Sequence, residues 1–285
     1  MRKLVSLFKF ILKIILSNSY TLKAARYAFH KILKNKGNFF YYEKNGLSFV
    51  LHRNEIISNA IFLDGEFEFS KFIKSLKFIK KRKRTLIDVG ANIGSITIPS
   101  LKNNFFKNAL TFEPNPESLR LLKTNILIND LEKKVIIKEI ALSNVKTSKT
   151  LKSDLTFNRG DNRLISKKKR GKNFFNVKTD ILDNYTKNYN KDNCLIKIDV
   201  QGEESNILIS SKKTLSKKIP IIIEFEPLNL KKDWKNCFKY IFKFYSFFYD
   251  LKETNTNKQP VSKDKLEQIF QEYLKKRSFT DLLFI

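Results

Sequence analysis

From position 85 onward, short apolar blocks alternate with stretches of helical spacing. Thr85-Leu86-Ile87-Asp88-Val89 reads as a buried strand ending in a glycine-bearing turn, and Ile93 to Leu101 as the next helix, shortened or kinked by Pro99. Ala109-Leu110-Thr111-Phe112 is a second strand. From Glu117 to Asn129, Leu119, Leu122, Ile126 and Leu127 recur at helical spacing. Val135-Ile136-Ile137 is a third strand, and Leu195-Ile196-Lys197-Ile198 a fourth, followed by a helix through Ile207 and Leu208. Ile219 to Phe225 is a fifth. Such alternation predicts a parallel sheet with helices on both faces and ligands beyond the carboxyl ends of its strands.

Around this core the pattern changes. A helical preamble runs to about Lys36. A hairpin follows, with Phe39-Phe40-Tyr41-Tyr42 and Leu47-Ser48-Phe49-Val50 flanking Asn45-Gly46. Phe69, Phe72, Ile73, Leu76 and Ile79 give Phe67 to Lys80 a helical period. Ser143 to Lys172 is polar and basic, which predicts an irregular excursion over the catalytic face. Within it, Gly160-Asp161-Asn162-Arg163 reads as a surface turn in preference to a lid on the acceptor.

The first 16 residues, MRKLVSLFKFILKIIL, are basic and apolar, but Lys9 and Lys13 interrupt the run and it is too short to span a bilayer. Arg2, Ser6, Lys9 and Lys13 share one helical stripe. The pattern suits equally a helix lying in a membrane interface and one packed on the domain. No clear cleavage site marks a signal peptide. The expectation is a cytoplasmic protein with peripheral contact at the inner membrane face. Residues 1–37 would form the amphipathic segment and 38–285 one domain with its core at about 84–227.

Charge alters this picture less than its size suggests. The formal net charge is +28, with 56 Lys and Arg against 28 Asp and Glu. Most of the excess is Lys and dispersed; only 80–84 and 167–170 form basic runs. Arg, which reads bases in bidentate fashion, is the minority. A nucleic-acid partner is therefore disfavoured relative to a solvated basic surface. Cys194 and Cys237 lack metal or disulfide spacing, and Cys194 reads as a buried small hydrophobe. His30 and His52 precede all the motifs, so neither a His-centred triad nor a metal site is predicted.

The loop Asp88-Val89-Gly90-Ala91-Asn92-Ile93-Gly94 joins a strand to a helix start, a nucleotide-type site. Glu113 ends the next strand, near the about 20-residue offset at which a carboxylate binds ribose hydroxyls. A dinucleotide loop would carry a second glycine where Asn92 stands, and Asp88 would repel a pyrophosphate. S-adenosylmethionine has no phosphate, and an acidic loop suits its cationic amino-acid end.

These segments resemble the FkbM-type methyltransferases. The resemblance rests on DVGANIGSIT (88–97), FEPNP (112–116), ALS (141–143), LIKIDVQGEE (195–204) and PIIIEFEP (220–227), with Gly65-Glu66-Phe67-Glu68 ahead of them. It covers about Asn38 to Pro227. It implies a Rossmann-like class I fold: a mainly parallel seven-stranded sheet with helices on both faces, preceded by a helical segment and hairpin. It also implies S-adenosyl-L-methionine as cofactor, usually with O-methylation in polysaccharide, glycolipid or natural-product pathways. Cofactor contacts are expected from Glu68, Asp88, Gly90, Asn92, Ile93, Gly94, Glu113, Pro114, Ala141, Leu142 and Ser143. Glu203 departs from the family, which has an apolar residue there; Glu204 matches the family's glutamate.

Asp199, at the end of the fourth strand, would face the transferred methyl as general base, as a group orienting the acceptor, or as a metal ligand; the bland alternative is a helix N-cap. Lys197 lies two residues earlier on the same face. Glu224 points to the same rim from the fifth strand, with Glu226 two residues on. The expected acceptor is a hydroxyl on a small molecule, glycan or glycolipid. A nucleic-acid (RNA 2′-O) methyltransferase and a non-catalytic glycan-binding protein are the alternatives. The sequence lacks the [DNS]-P-P-[YFW] element of amino-methylating DNA enzymes.

Overall fold

The computed structural model describes residues 38–53, 55–154, 160–165, 169–230, 234–252 and 256–285. The segment 1–37, including the expected amphipathic helix at 1–16, lies outside them. Among the described residues no helix is long and apolar enough to cross a membrane.

Strands β1 (Phe39–Lys44) and β2 (Leu47–His52) form the expected hairpin, turning at Asn45 and Gly46, both with positive φ. Next come α1 (Ile56–Asp64) and α2 (Phe69–Ser75). The core then alternates β3 (Thr85–Val89), α3 (Thr97–Lys102), β4 (Asn108–Phe112), α4 (Pro116–Leu127) and β5 (Val135–Lys138). The 94–96 turn delays α3, because Gly94 sits at φ 92. Pro99 then falls in the first helical turn, where a missing N–H costs nothing.

The described residues of the excursion form strands, contrary to the irregular course expected from the sequence. It folds as β6 (Ala141–Leu142), β7 (Thr147–Ser153), β8 (Asn162–Ile165) and β9 (Phe174–Asp180), a side sheet in the order β6-β9-β7-β8. Among the described residues, Ala141, Leu151 and Val177 form its buried apolar cluster, with Leu164 and Phe175 against it. So few apolar residues among so many Lys, Ser and Thr hide the strand period. After it come β10 (Cys194–Ile198), α5 (Glu204–Ser210), α6 (Lys212–Ser216), β11 (Ile221–Phe225), α7 (Trp234–Cys237), α8 (Lys239–Phe244), β12 (Phe247–Asp250), β13 (Gln259–Pro260), α9 (Lys263–Lys275) and β14 (Thr280–Phe284).

The main sheet runs β13-β12-β14-β11-β10-β3-β4-β5, with β10, β11, β3, β4 and β5 parallel and β14 antiparallel to β11. It therefore has one strand more than the seven expected. The extra strand is the two-residue β13, which pairs at the outer edge and ends in Pro260, a residue sheets tolerate at edges. Alternate residues feed two cores: Leu86, Leu195, Ile222 and Leu283 on one face, Ile87, Ile196, Ile223 and Phe284 on the other. From β3 the chain winds outward through β4 and β5, then returns to β10 on β3's other side. That reversal opens a crevice between β3 and β10.

Two buried asparagines of α4 and its end fasten the hairpin. Asn129 accepts from Ser48 N (3.1 Å) and donates to Ser48 O (2.6 Å). Asn125 accepts from Val50 N (2.6 Å) and donates to Ile93 O (3.0 Å). The hairpin and the 88–94 turn thus share one side chain.

Candidate active site

The crevice opens into a cavity of about 560 Å³, within the range of small-molecule sites. Eleven of the expected site residues line it: Glu68, Asp88, Gly90, Asn92, Glu113, Pro114, Ala141, Leu142, Lys197, Asp199 and Glu224. Ile93, Gly94 and Ser143 do not. Ile93 is buried in the core, Gly94 packs on Ile98 and Leu122, and the Ser143 hydroxyl donates to Glu203 (2.5 Å) and accepts from Lys149 (2.8 Å).

At one end, Gly90 and Ala91 donate to Phe112 O (3.0 and 3.1 Å), tying the turn to the end of β4. Gly90 has φ 90. Glu113 accepts from Asn92 N at 2.9 Å and from Asn115 N at 2.8 Å. Burial pushes its carboxyl up to about 7, against those two hydrogen bonds. Asp88 accepts from the Thr97 hydroxyl at 2.6 Å, and burial raises its pKa too.

At the other end, Lys197 pairs in register with Asp88 across β10 and β3, and its ammonium bonds Asp199 at 2.9 Å. Burial opposes the Lys197 charge, but Asp199, Asp88, Glu68 and Asp281 outweigh it and hold the amine protonated. Burial, then the nearby Asp199, Glu204 and Asp281 carboxylates, pushes Glu224 well above the usual range. Glu68 is raised by burial and stands at φ 57 as the residue before α2, so it faces the site rather than solvent. Asp199 is not the N-cap of α5: Glu203 occupies that position, and both Asp199 oxygens are engaged by Lys197 and Gln201.

Several lining residues were not assigned to the site from the sequence. Gln201 donates to Glu224 (3.1 Å) and Asp199 (3.4 Å). Ile56, Ile57 and Phe67 line the cavity from the segment before the core, and Phe279 from just ahead of β14. Gly160-Asp161-Asn162-Arg163 is not a detached surface turn. Asp161 and Arg163 line the cavity, Asn162 accepts from Asn115 (2.6 Å), and Arg163 bonds Asp161 and Asn229, each at 2.7 Å. These residues come from distant segments, and only the cavity brings them together.

The first end suits S-adenosylmethionine. Glu113 has spent two of its roughly four acceptor positions on backbone N–H groups, leaving the others for ribose hydroxyls. Acidic Asp88 suits a cation and opposes a pyrophosphate. Glu204 faces away from the cavity: it accepts from Val200 N (3.1 Å) and Gly202 N (2.9 Å) and closes the loop after β10. Among the described residues no group of three or more His, Cys, Asp or Glu side chains is arranged to hold a metal ion.

A comparison with curated proteins finds no match. Among solved structures, methyltransferase FkbM from Methylobacillus flagellatus KT is 13% identical with a TM-score of 0.48, covering 80% of this chain and 52% of that one. This chain thus spans about half the length of that protein. M. jannaschii TYW2 in complex with AdoMet is 14% identical with a TM-score of 0.40, over 88% of this chain and 86% of that one. Precorrin-6y C5,15-methyltransferase from Geobacter metallireducens GS-15 is 9% identical with a TM-score of 0.38, over 75% and 86%. The Methyltransferase FkbM domain matches residues 88–273, well over half of the chain. The protein therefore belongs to the FkbM family of S-adenosylmethionine-dependent methyltransferases.

Proposed function

We propose that the protein methylates a hydroxyl on a sugar, polysaccharide or glycolipid. One observation carries this reading: the cavity reverses the sign of the protein. In a chain of net charge +28, the titratable lining groups are Glu68, Asp88, Glu113, Asp161, Asp199, Glu203, Glu224 and Glu226 against Lys197 and Arg163. Carboxylates accept hydrogen bonds from a polyol and repel a polyphosphate. Phe67 and Phe279 add apolar faces on which a sugar ring can lie.

S-adenosylmethionine supplies an electrophilic methyl group on a cationic sulfur. Asp199 is placed to take the proton of the acceptor hydroxyl, whose oxygen would then be free to receive the methyl group that the bound cofactor would supply. Lys197 fixes the orientation of the Asp199 carboxylate. The basic, apolar stretch 1–16 would hold the enzyme at an anionic membrane surface, near a lipid-linked acceptor; vesicle sedimentation with and without it tests that part.

Transfer of a labelled methyl group to separated polysaccharide, lipid and RNA fractions tests the function. Label in the first two supports it. Label confined to RNA would replace it with 2′-O-methylation of nucleic acid, and no turnover in any fraction would favour a glycan-binding role.

A further inference from the structure

Three non-glycine residues with left-handed backbone line the cavity: Glu68, Asn92 and Gln201, at φ 57, 50 and 52. Such strain at a ligand site persists only where the surroundings impose it. At Gln201 the clamp is visible. Glu204, almost wholly buried, accepts from the backbone N–H on each side, Val200 N at 3.1 Å and Gly202 N at 2.9 Å. The loop is thereby held in the shape that turns the Gln201 side chain toward two carboxyls.

We propose that Gln201 is a positioning residue: its side-chain amide divides its two N–H bonds between Asp199 and Glu224, locks them as one unit, and fixes which of them is free to take the acceptor's proton. The amide nitrogen lies 3.4 Å from Asp199 Oδ1 and 3.1 Å from Glu224 Oε2. Its orientation follows from chemistry, since the amide oxygen would be repelled by the Asp199 carboxylate. The unit is asymmetric. Asp199 also receives the Lys197 ammonium at 2.9 Å, so the negative charge of the pair settles on Asp199. Glu224 pairs in register with Asp281 and is surrounded by Asp199, Glu204 and Asp281. The cation acting on Glu224 is Lys197, already on Asp199, while the Asp281 beside it is paired with Lys71. Glu68 adds a further carboxyl beside Lys197. Glu224 is therefore the member of the pair that keeps a proton, and Asp199 the one that accepts another. A glutamate at position 201 would put a third carboxyl at this junction; glutamine binds both carboxyls and adds no charge.

The proposal rests on the hydroxyl-methylation reading only for the source of the incoming proton, and its test needs no acceptor. The intact chain, labelled with ¹³C at glutamate carboxyls, is titrated by NMR as wild type, Gln201→Leu and Gln201→Glu, with Glu224→Gln assigning the Glu224 resonance. Loss of an N–H donor to the ionised form should move the Glu224 midpoint upward in Gln201→Leu, by about one pH unit. In Gln201→Glu the new carboxyl should titrate above the ordinary glutamate range, and the melting temperature should fall increasingly below wild type as pH rises from about 5 to 8. An unchanged Glu224 midpoint in Gln201→Leu would overturn the proposal. Should Gln201→Leu not fold, a pH-independent melting difference for Gln201→Glu would do so. Failure of the acceptor screen would leave these titrations standing, whereas their failure would leave methyl transfer standing without a positioning role for Gln201.

Discussion

Gly90 lies against the main-chain carbonyl of Asp199, so closely that a Cβ built on Gly90 would come within 1.9 Å of that oxygen. The turn at the donor end and the strand end that carries the proposed base are therefore in backbone contact. Asp199 N in turn donates to Val89 O at 3.0 Å. Gly90→Ala should lose about 2–5 kcal/mol, from the left-handed φ and the collision together. Melting curves and calorimetric cofactor titration check it; a variant that melts and binds as wild type would show that the two strand ends part easily.

Glu113→Ala should weaken S-adenosylmethionine binding about ten- to hundredfold, the effect of losing a charge-assisted hydrogen bond of about 1.5–3 kcal/mol. The carboxyl is pushed up to about 7 in the free protein, and its ionised form is the better acceptor for ribose hydroxyls. Affinity should accordingly rise with pH through about 7 and level off. Glu113→Gln should lack that rise. Calorimetry across pH reads both.

Glu113 and Glu204 each stand at about 7 when folded, against an ordinary value of 4.5. A raised carboxyl binds its proton more tightly in the folded state. The stability it contributes is complete below 4.5 and is lost as pH rises toward 7. Urea unfolding of the cofactor-free protein should show stability falling over that window, and Glu204→Gln should flatten the slope. A slope unaltered in Glu204→Gln would mean that the carboxyl is already ionised at low pH.

Asp199→Asn should keep the fold and bind cofactor, yet turn over about 10²–10⁴-fold more slowly. The asparagine can still accept from Lys197 but cannot take a proton. Turnover on whichever fraction is labelled, measured beside cofactor affinity on one preparation, separates proton transfer from support of the loop. Full turnover would move the base to Glu224 or Glu68.

Asn125→Leu should cost about 2–6 kcal/mol, because it orphans the half-buried Val50 N and the buried Ile93 O, at about 1–3 kcal/mol each. Hydrogen exchange at Val50 checks it. Exchange as slow as in wild type would show that the hairpin is held without Asn125.

Strand and helix periods in the core were legible because each strand is mainly apolar and the turn after β3 carries its own glycine marker. The donor end was legible for a related reason: Asp88, Gly90 and Glu113 sit at fixed offsets from two strands, so local spacing reveals them. The acceptor end was legible only where strand ends mark it, at Asp199, Lys197 and Glu224. Phe279 lies some fifty residues beyond Glu224, and Ile56 precedes the core; only the closing of β14 beside β11 and the docking of α1 bring them to one cavity. Gln201 lay inside a motif but was silent, since its role depends on Glu224 arriving from another strand. Asn125 and Asn129 looked like ordinary polar positions of a helix, and their hairpin partners are 75 to 81 residues away.

The side sheet begins and ends at one place. Leu142 is paired with Asp180, and Ser143 N donates to Asp180 O at 2.9 Å, so nearly forty residues leave and re-enter the fold side by side. Such a segment behaves as an interchangeable cartridge: its base is sealed, so its length and tip can change at little entropic cost to the rest. The tip delivers Asp161 and Arg163 to the cavity, whereas the donor turn lies outside the cartridge. Exchanging 144–178 for the equivalent segment of another family member should change what Asp161 and Arg163 present to the cavity while leaving Asp88 and Gly90 in place, at the cost of the bonds from Asn115 to Ser153 and Asn162.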